Sequence, residues 1–127
     1  MATITVTRDP AGISGIFSIN VDEILMLEYS RREDRIVVHT EDNSFFTVGT
    51  LKYWTDALNG SGHKFAMVDR GNSLNLEKVV RIDETFNVAY FEDAIDSNSK
   101  RCMIARHRIK EVKNALDIIN PAVIVTY

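Results

Sequence analysis

Threonines alternate with Ile4 and Val6 from Thr3 to Thr7, the signature of a half-buried strand, and the pattern stops at the turn formers Asp9-Pro10-Ala11-Gly12. Residues 13–19 form a second short apolar run. Val21-Asp22-Glu23 then leads into Ile24-Leu25-Met26-Leu27, which reads as a buried strand or a short turn feeding one. Residues 28–35 are a polar loop by composition, and the β-branched run 35–40 returns from it as the second arm of a hairpin. After the turn cluster Glu41-Asp42-Asn43-Ser44, residues 44–48 predict a further strand. The period changes at Thr50, which can cap a helix whose Leu51, Trp54 and Leu58 recur at i, i+3 and i+7, with Asn59-Gly60 as its stop.

Beyond that helix, residues 65–68 are strand-like and residues 79–82 and 87–91 predict a hairpin through Asp83-Glu84-Thr85-Phe86. Residues 92–99 are a polar connection. Ala105, Ile109, Val112, Leu116 and Ile119 step by four, three, four and three, so a C-terminal helix presents one apolar face to the sheet. Asn120-Pro121 ends it, and residues 122–125 form a terminal strand or docking tail. The whole is a mostly β chain with two or so helices. Its expected core is Leu25, Leu27, Val37, Phe46, Trp54, Phe65 and Leu76, with Ile109, Val112 and Leu116 from the last helix.

The stretch 65–79, FAMVDRGNSLNLEKV, interrupts this pattern with the turn formers of 69–73 and reads as an ordered loop between core segments. Within it Arg70 offers a planar donor fork and Asn75 an amide that both donates and accepts, the side chains best suited to clamping an anion or reading a base edge. The plainer alternative is that Asn75 stitches a turn.

Composition narrows the function classes. At 127 residues, 45% hydrophobic and 26% charged, the chain is an ordinary globular domain, with no apolar run long enough to span a bilayer. The N-terminus lacks secretory features and Cys102 is the single cysteine, so a soluble cytoplasmic protein is expected. The net charge of −3 argues against indiscriminate coating of nucleic acid. Residues 100–113, KRCMIARHRIKEVK, nevertheless carry six basic residues against one Glu, either a local phosphate-binding patch or a solvated helix face. His39, His63 and His107 have no metal-ligand spacing, and no phosphate loop, dinucleotide fingerprint or nucleophile elbow is present, so neither enzyme nor cofactor is expected. Cys102 beside Lys100, Arg101 and Arg106 could carry a lowered thiol pKa, although a buried strand cysteine is the simpler reading.

With these elements in order, residues 21–116 resemble the LytTR DNA-binding domain of bacterial response regulators and stand-alone transcription factors. The carriers are the run 24–27 with Glu28 and Tyr29, the Gly49-Thr50-Leu51 start of the first helix, the central F-A-M-V-D-R-x-N-S-L-N-L-x-K-V, and C-M-I-A-R ahead of a basic helix. Arg70, Leu74 and Asn75 match the family's central motif, whereas Asp69 stands for a usual His, Ser73 for an aliphatic residue and Ala105 for a usual Ser.

The resemblance implies an elongated, mostly β domain with a C-terminal amphipathic helix, residues 21–127, preceded by an N-terminal strand extension, 1–20. Such a domain presents loops to successive major grooves of double-stranded DNA. The DNA edge it implies comprises Arg31 and Arg32 after Ser30, then Arg70, Asn72 and Asn75, then Lys100, Arg106, His107 and Arg108. It further implies a stand-alone transcription regulator acting on a direct-repeat site bound by two copies, with a homodimer on DNA and RNA polymerase or another regulator as partners. The competing class is a protein-interaction module on the same fold, meeting its partner through an acidic surface and without DNA contacts.

Overall fold

The computed structural model describes residues 2–127. These form eleven strands and two helices: β1 (Thr3–Thr7), β2 (Ile16–Asn20), β3 (Met26–Ser30), β4 (Arg35–His39), β5 (Ser44–Thr47), α1 (Leu51–Gly60), β6 (Phe65–Asp69), β7 (Asn72–Asn75), β8 (Arg81–Asp83), β9 (Val88–Tyr90), β10 (Arg101–Met103), α2 (Ile109–Ile119) and β11 (Ile124–Thr126). Seven strands build an antiparallel sheet in the order β2-β1-β5-β4-β3-β7-β6. A smaller sheet runs β10-β9-β8-β11, its last strand parallel to β8.

One row of paired residues crosses the larger sheet from edge to edge: Ile16, Thr7, Phe46, Val37, Glu28, Asn72, Asp69. Because neighbours are antiparallel, the turns 31–34 and 70–71 lie beyond the same side of this row and form what is called here the turn end. β1 runs the opposite way into the loop 8–15, which reaches the turn end because the Arg35 guanidinium donates to both the Pro10 and the Asp34 carbonyls.

Period-two alternation gives the larger sheet two working faces. Ile4, Val6, Ile19, Leu27, Ile36, Val38, Phe45 and Phe65 point to one face and pack with Leu51 and Leu58 of α1. Met26, Val68 and Leu74 point to the other and pack with Ile82, Ala89, Cys102, Val112 and Leu116 of the smaller sheet and α2. Each large aliphatic side chain removed from water in this way contributes about 1.5–3 kcal/mol. The core residues expected from the sequence are buried except Phe46, Trp54 and Ile109, which are half-buried. Trp54 is held at the rim because its indole N–H donates to the Val48 carbonyl at 2.8 Å. Thr50 caps α1 as expected, its hydroxyl accepting the Tyr53 N–H at 3.0 Å. The helix ends at Gly60, within the pair expected to stop it, and Asn59 reaches forward to pair with both the N–H and the carbonyl of Phe65.

Three segments differ from the sequence reading, the first two because polar side chains find partners inside the sheet. Residues 65–75 form a hairpin with Arg70-Gly71 at its tip, not a loop spanning 69–73. All four residues of β7 are buried, because Asn72 donates to the Met103 carbonyl, Ser73 receives the Thr55 hydroxyl and Asn75 donates to the Ile24 carbonyl. Likewise the supposed polar loop 28–35 is strand as far as Ser30, with Glu28 set against His39 of β4 at 2.9 Å. Finally, α2 starts at Ile109, and Arg106–Arg108 form a separate 3₁₀ turn before it.

Candidate nucleic-acid interface

Arg31 and Arg32 are exposed on the turn between β3 and β4. That turn is shaped by its own side chains. The Ser30 hydroxyl accepts the Glu33 N–H at 3.2 Å, and the Tyr29 hydroxyl donates to Asp34 at 2.9 Å. Asp34 takes the left-handed conformation, φ 51°, which a short polar side chain tolerates. Arg35, first residue of β4, donates from Nε to the Pro10 carbonyl at 2.9 Å, so the loop 8–15 rests directly against this turn.

Arg70 is exposed at the tip of the next hairpin, and its own N–H donates to the Asp69 carboxylate at 2.7 Å. The tip is tied to β3 by the Tyr29 N–H, which donates to the Gly71 carbonyl at 2.9 Å. The third segment is brought in by β6: the Ala105 N–H donates to the Val68 carbonyl at 2.7 Å, and Arg108 Nη1 donates to the Met67 carbonyl at 3.1 Å. Arg106 and His107, between these anchors, are exposed. Arg108 is half-buried and spends one of its five donors on the anchor. Arg31, Arg32, Arg70, Arg106, His107 and Arg108 therefore stand on three segments linked by hydrogen bonds to β3, β6 and β7.

Three other expected site residues are turned to structural work. Asn75 is 1% exposed; its amide donates to the Ile24 carbonyl at 2.8 Å and its Oδ1 accepts the Glu77 N–H at 3.2 Å. It has no free edge for a base. Asn72 is buried and holds β7 to the Met103 carbonyl at 3.1 Å. Lys100 lies at the opposite end of β4, where its ammonium donates to the Asn43 carbonyl at 2.7 Å and lies 3.0 Å from Ser44 Oγ and 3.1 Å from His39 Nδ1. There it bridges the chain ahead of β10 to the larger sheet. The His39 hydrogen bond holds the Glu28 carboxyl below its ordinary range, and burial pushes the Lys100 ammonium down. Cys102 is buried and its thiol is pushed up to about 12 by desolvation, the opposite of an activated cysteine.

The electrostatics are polarised along the strands. Opposite the turn end, Asp22, Glu23, Glu41, Asp42, Glu92 and Asp96 line a cleft of about 820 Å³, relieved by Lys78 and Lys100. Two features of the turn end were missed by sequence reasoning: the Tyr29–Asp34 brace and the docking of Arg35 on the loop 8–15. The signal available was weak, an Asp closing a polar turn.

The sequence profile of the LytTr DNA-binding domain family matches residues 14–117. Among solved structures, the LytTr DNA-binding domain of a response regulator from Bacillus cereus superposes with a TM-score of 0.67 at 14% identity, covering 91% of this chain and 97% of that one. At that identity the likeness is one of fold. No curated protein shows significant similarity to the chain. With its two sheets, its two helices and the profile spanning most of its length, the chain belongs to the LytTr DNA-binding domain family.

Proposed function

We propose that this chain is a sequence-specific transcription regulator that binds double-stranded DNA through its turn end. Arg31, Arg32, Arg70, Arg106, His107 and Arg108 meet the duplex, and the segments reach successive major grooves. The observation that carries this reading is the convergence of the three basic segments on hydrogen-bonded neighbours β3, β6 and β7, in a domain of a DNA-binding family. Among them Arg70 and Arg106 are free to present a fork to a phosphate pair or to a guanine edge. We further assign two copies to a direct-repeat site, acting in the cytoplasm. Among the described residues no helix is long and apolar enough to cross a membrane.

Gel retardation on duplexes selected from a random pool tests the proposal. Arg106→Ala should weaken binding to selected and unrelated duplexes alike and flatten the dependence of log K on log salt by about one unit. An unchanged slope would remove Arg106 from the interface. A second reading, a protein-interaction module without DNA contacts, draws support from the acidic cleft at the other end and from Asp69 beside Arg70. It requires that no duplex be retained even at low salt.

A further inference from the structure

The loop 8–15 is built as rigidly as the turns beside it, and most of it precedes the residues that match the family. The Asp9 carboxylate accepts the N–H of Ile13 at 3.0 Å and of Ser14 at 2.8 Å, together with the Ser14 hydroxyl. Gly12 and Gly15, at φ 77° and 89°, let the chain double back twice over so short a span. Gly15 N–H and Gly12 N–H close the inner turns at 3.2 Å each. What this framework displays is apolar: Ile13 is 88% and Ile16 77% exposed. Beside them lies an open, largely apolar groove of about 390 Å³, whose lining includes Ile16, Phe46, Val48 and Trp54. Arg35 pins the loop to the turn carrying Arg31 and Arg32, and Arg8 leaves it with its guanidinium 4.6 Å above the Phe17 ring.

Scattered exposed aliphatics need no explanation. Here, however, Ile13 sits on a pre-ordered loop and Ile16 at the start of β2 beside it, the loop adjoins the basic turn 31–34 through Arg35, and the one acidic group of the loop is spent on its own backbone and Ser14. We propose that the loop 8–15 is a further DNA-contacting element of this chain, laying Ile13 and Ile16 against the groove edge of the duplex next to the bases met by the Arg31-Arg32 turn. This rests on the DNA-binding reading above and adds a flank to it. Apolar side chains suit that position because the groove edge presents thymine methyl groups. A loop already ordered loses little freedom on contact. Ile13 then contributes to sequence preference without contributing to salt dependence, since it neutralises no phosphate.

The test uses the whole chain and a duplex selected from a random pool by the unaltered protein. Ile13→Ser should lose about threefold in affinity for that duplex with its salt slope unchanged, and Ile13→Asp about tenfold, through repulsion from the backbone. In both, the hydroxyl-radical footprint should shorten at one flank alone, while melting curves stay with the parent because the side chain is exposed. If the pool yields a bound duplex and Ile13→Asp holds it with the same affinity and footprint, this inference falls and the DNA-binding reading stands. If the pool yields none, both fall. If Ile13→Asp leaves the footprint unchanged but lowers the sedimentation coefficient of the free protein, the face belongs to a second copy of the chain and the inference is overturned.

Discussion

Asn75 illustrates how one side chain can look like a reader of bases and be a tie within the core. Its residue type and its place after a turn cluster suit either role, and what separates them is a carbonyl 51 residues earlier in the chain. Replacing it by alanine takes the amide donor from the buried Ile24 carbonyl and the cap from the Glu77 N–H. We expect Asn75→Ala to lower stability by about 1–3 kcal/mol, read from the midpoint of urea unfolding. An unmoved midpoint would return Asn75 to the candidate interface. Arg70→Ala, at an exposed position, should cost under about 0.5 kcal/mol and show its effect in DNA binding instead. Asp9 offers a residue-scale test by pH. Its hydrogen bonds, that from the Ser14 hydroxyl foremost, lower its carboxyl from 3.8 to about 2. The anchoring it gives the loop is therefore complete above the unfolded value near 3.8 and is lost as the pH falls toward about 2. In an acid titration followed by NMR, the Ile13 and Ser14 amides should shift with that low midpoint, and a midpoint near 4 would mean the loop is not held as described. Arg70 and Arg106 were legible from residue type and charge alone, whereas Arg31 and Arg32 were singled out only by the family resemblance. The buried amides were not, since burial is a property of distant partners.

At the scale of elements, amphipathic periodicity was the most legible signal. The C-terminal helix buries Val112 and Leu116 as its four-three spacing requires, while Ile118 on the outer face is 85% exposed. Leu116→Ala should therefore cost about 2–5 kcal/mol and Ile118→Ala under about 0.5 kcal/mol in the same denaturation assay. Equal costs would mean that the helix is rotated. The cap at Thr50 was equally readable, because capping is local chemistry. Strands β3 and β7 were not, for their polar residues mimic loops until Glu28 meets His39 and Ser73 meets Thr55 across the fold. The junction between β5 and α1 depends on a glycine for a reason visible only in three dimensions. Gly49 sits at φ 120°, and a Cβ there would lie 2.8 Å from the Trp54 indole nitrogen.

For the whole molecule the governing feature is its polarity, basic segments at the turn end and an acidic cleft at the other. On the DNA-binding reading proposed above, such a charge arrangement would orient an approaching duplex before contact and disfavour docking the wrong way round. Neutralising two cleft residues, Glu41→Gln with Asp42→Asn, should raise affinity for unrelated DNA about two- to fivefold at low salt and leave it unchanged at high salt, where the field is screened. Fluorescence anisotropy at two ionic strengths would decide this, and an increase that persists at high salt would contradict it. The two margins of the larger sheet differ as sharply as its two ends. The β6 margin is covered by Asn59, Ala105 and Arg108, whereas β2 has β1 as its one strand neighbour and the uncharged sequence IFSIN along its length. Natural sheets commonly guard such a margin with lysine or proline. Strand addition along β2 is therefore the expected route by which concentrated preparations deteriorate, and Ser18→Lys should slow the rise of light scattering on storage; an unchanged rise would place the route elsewhere.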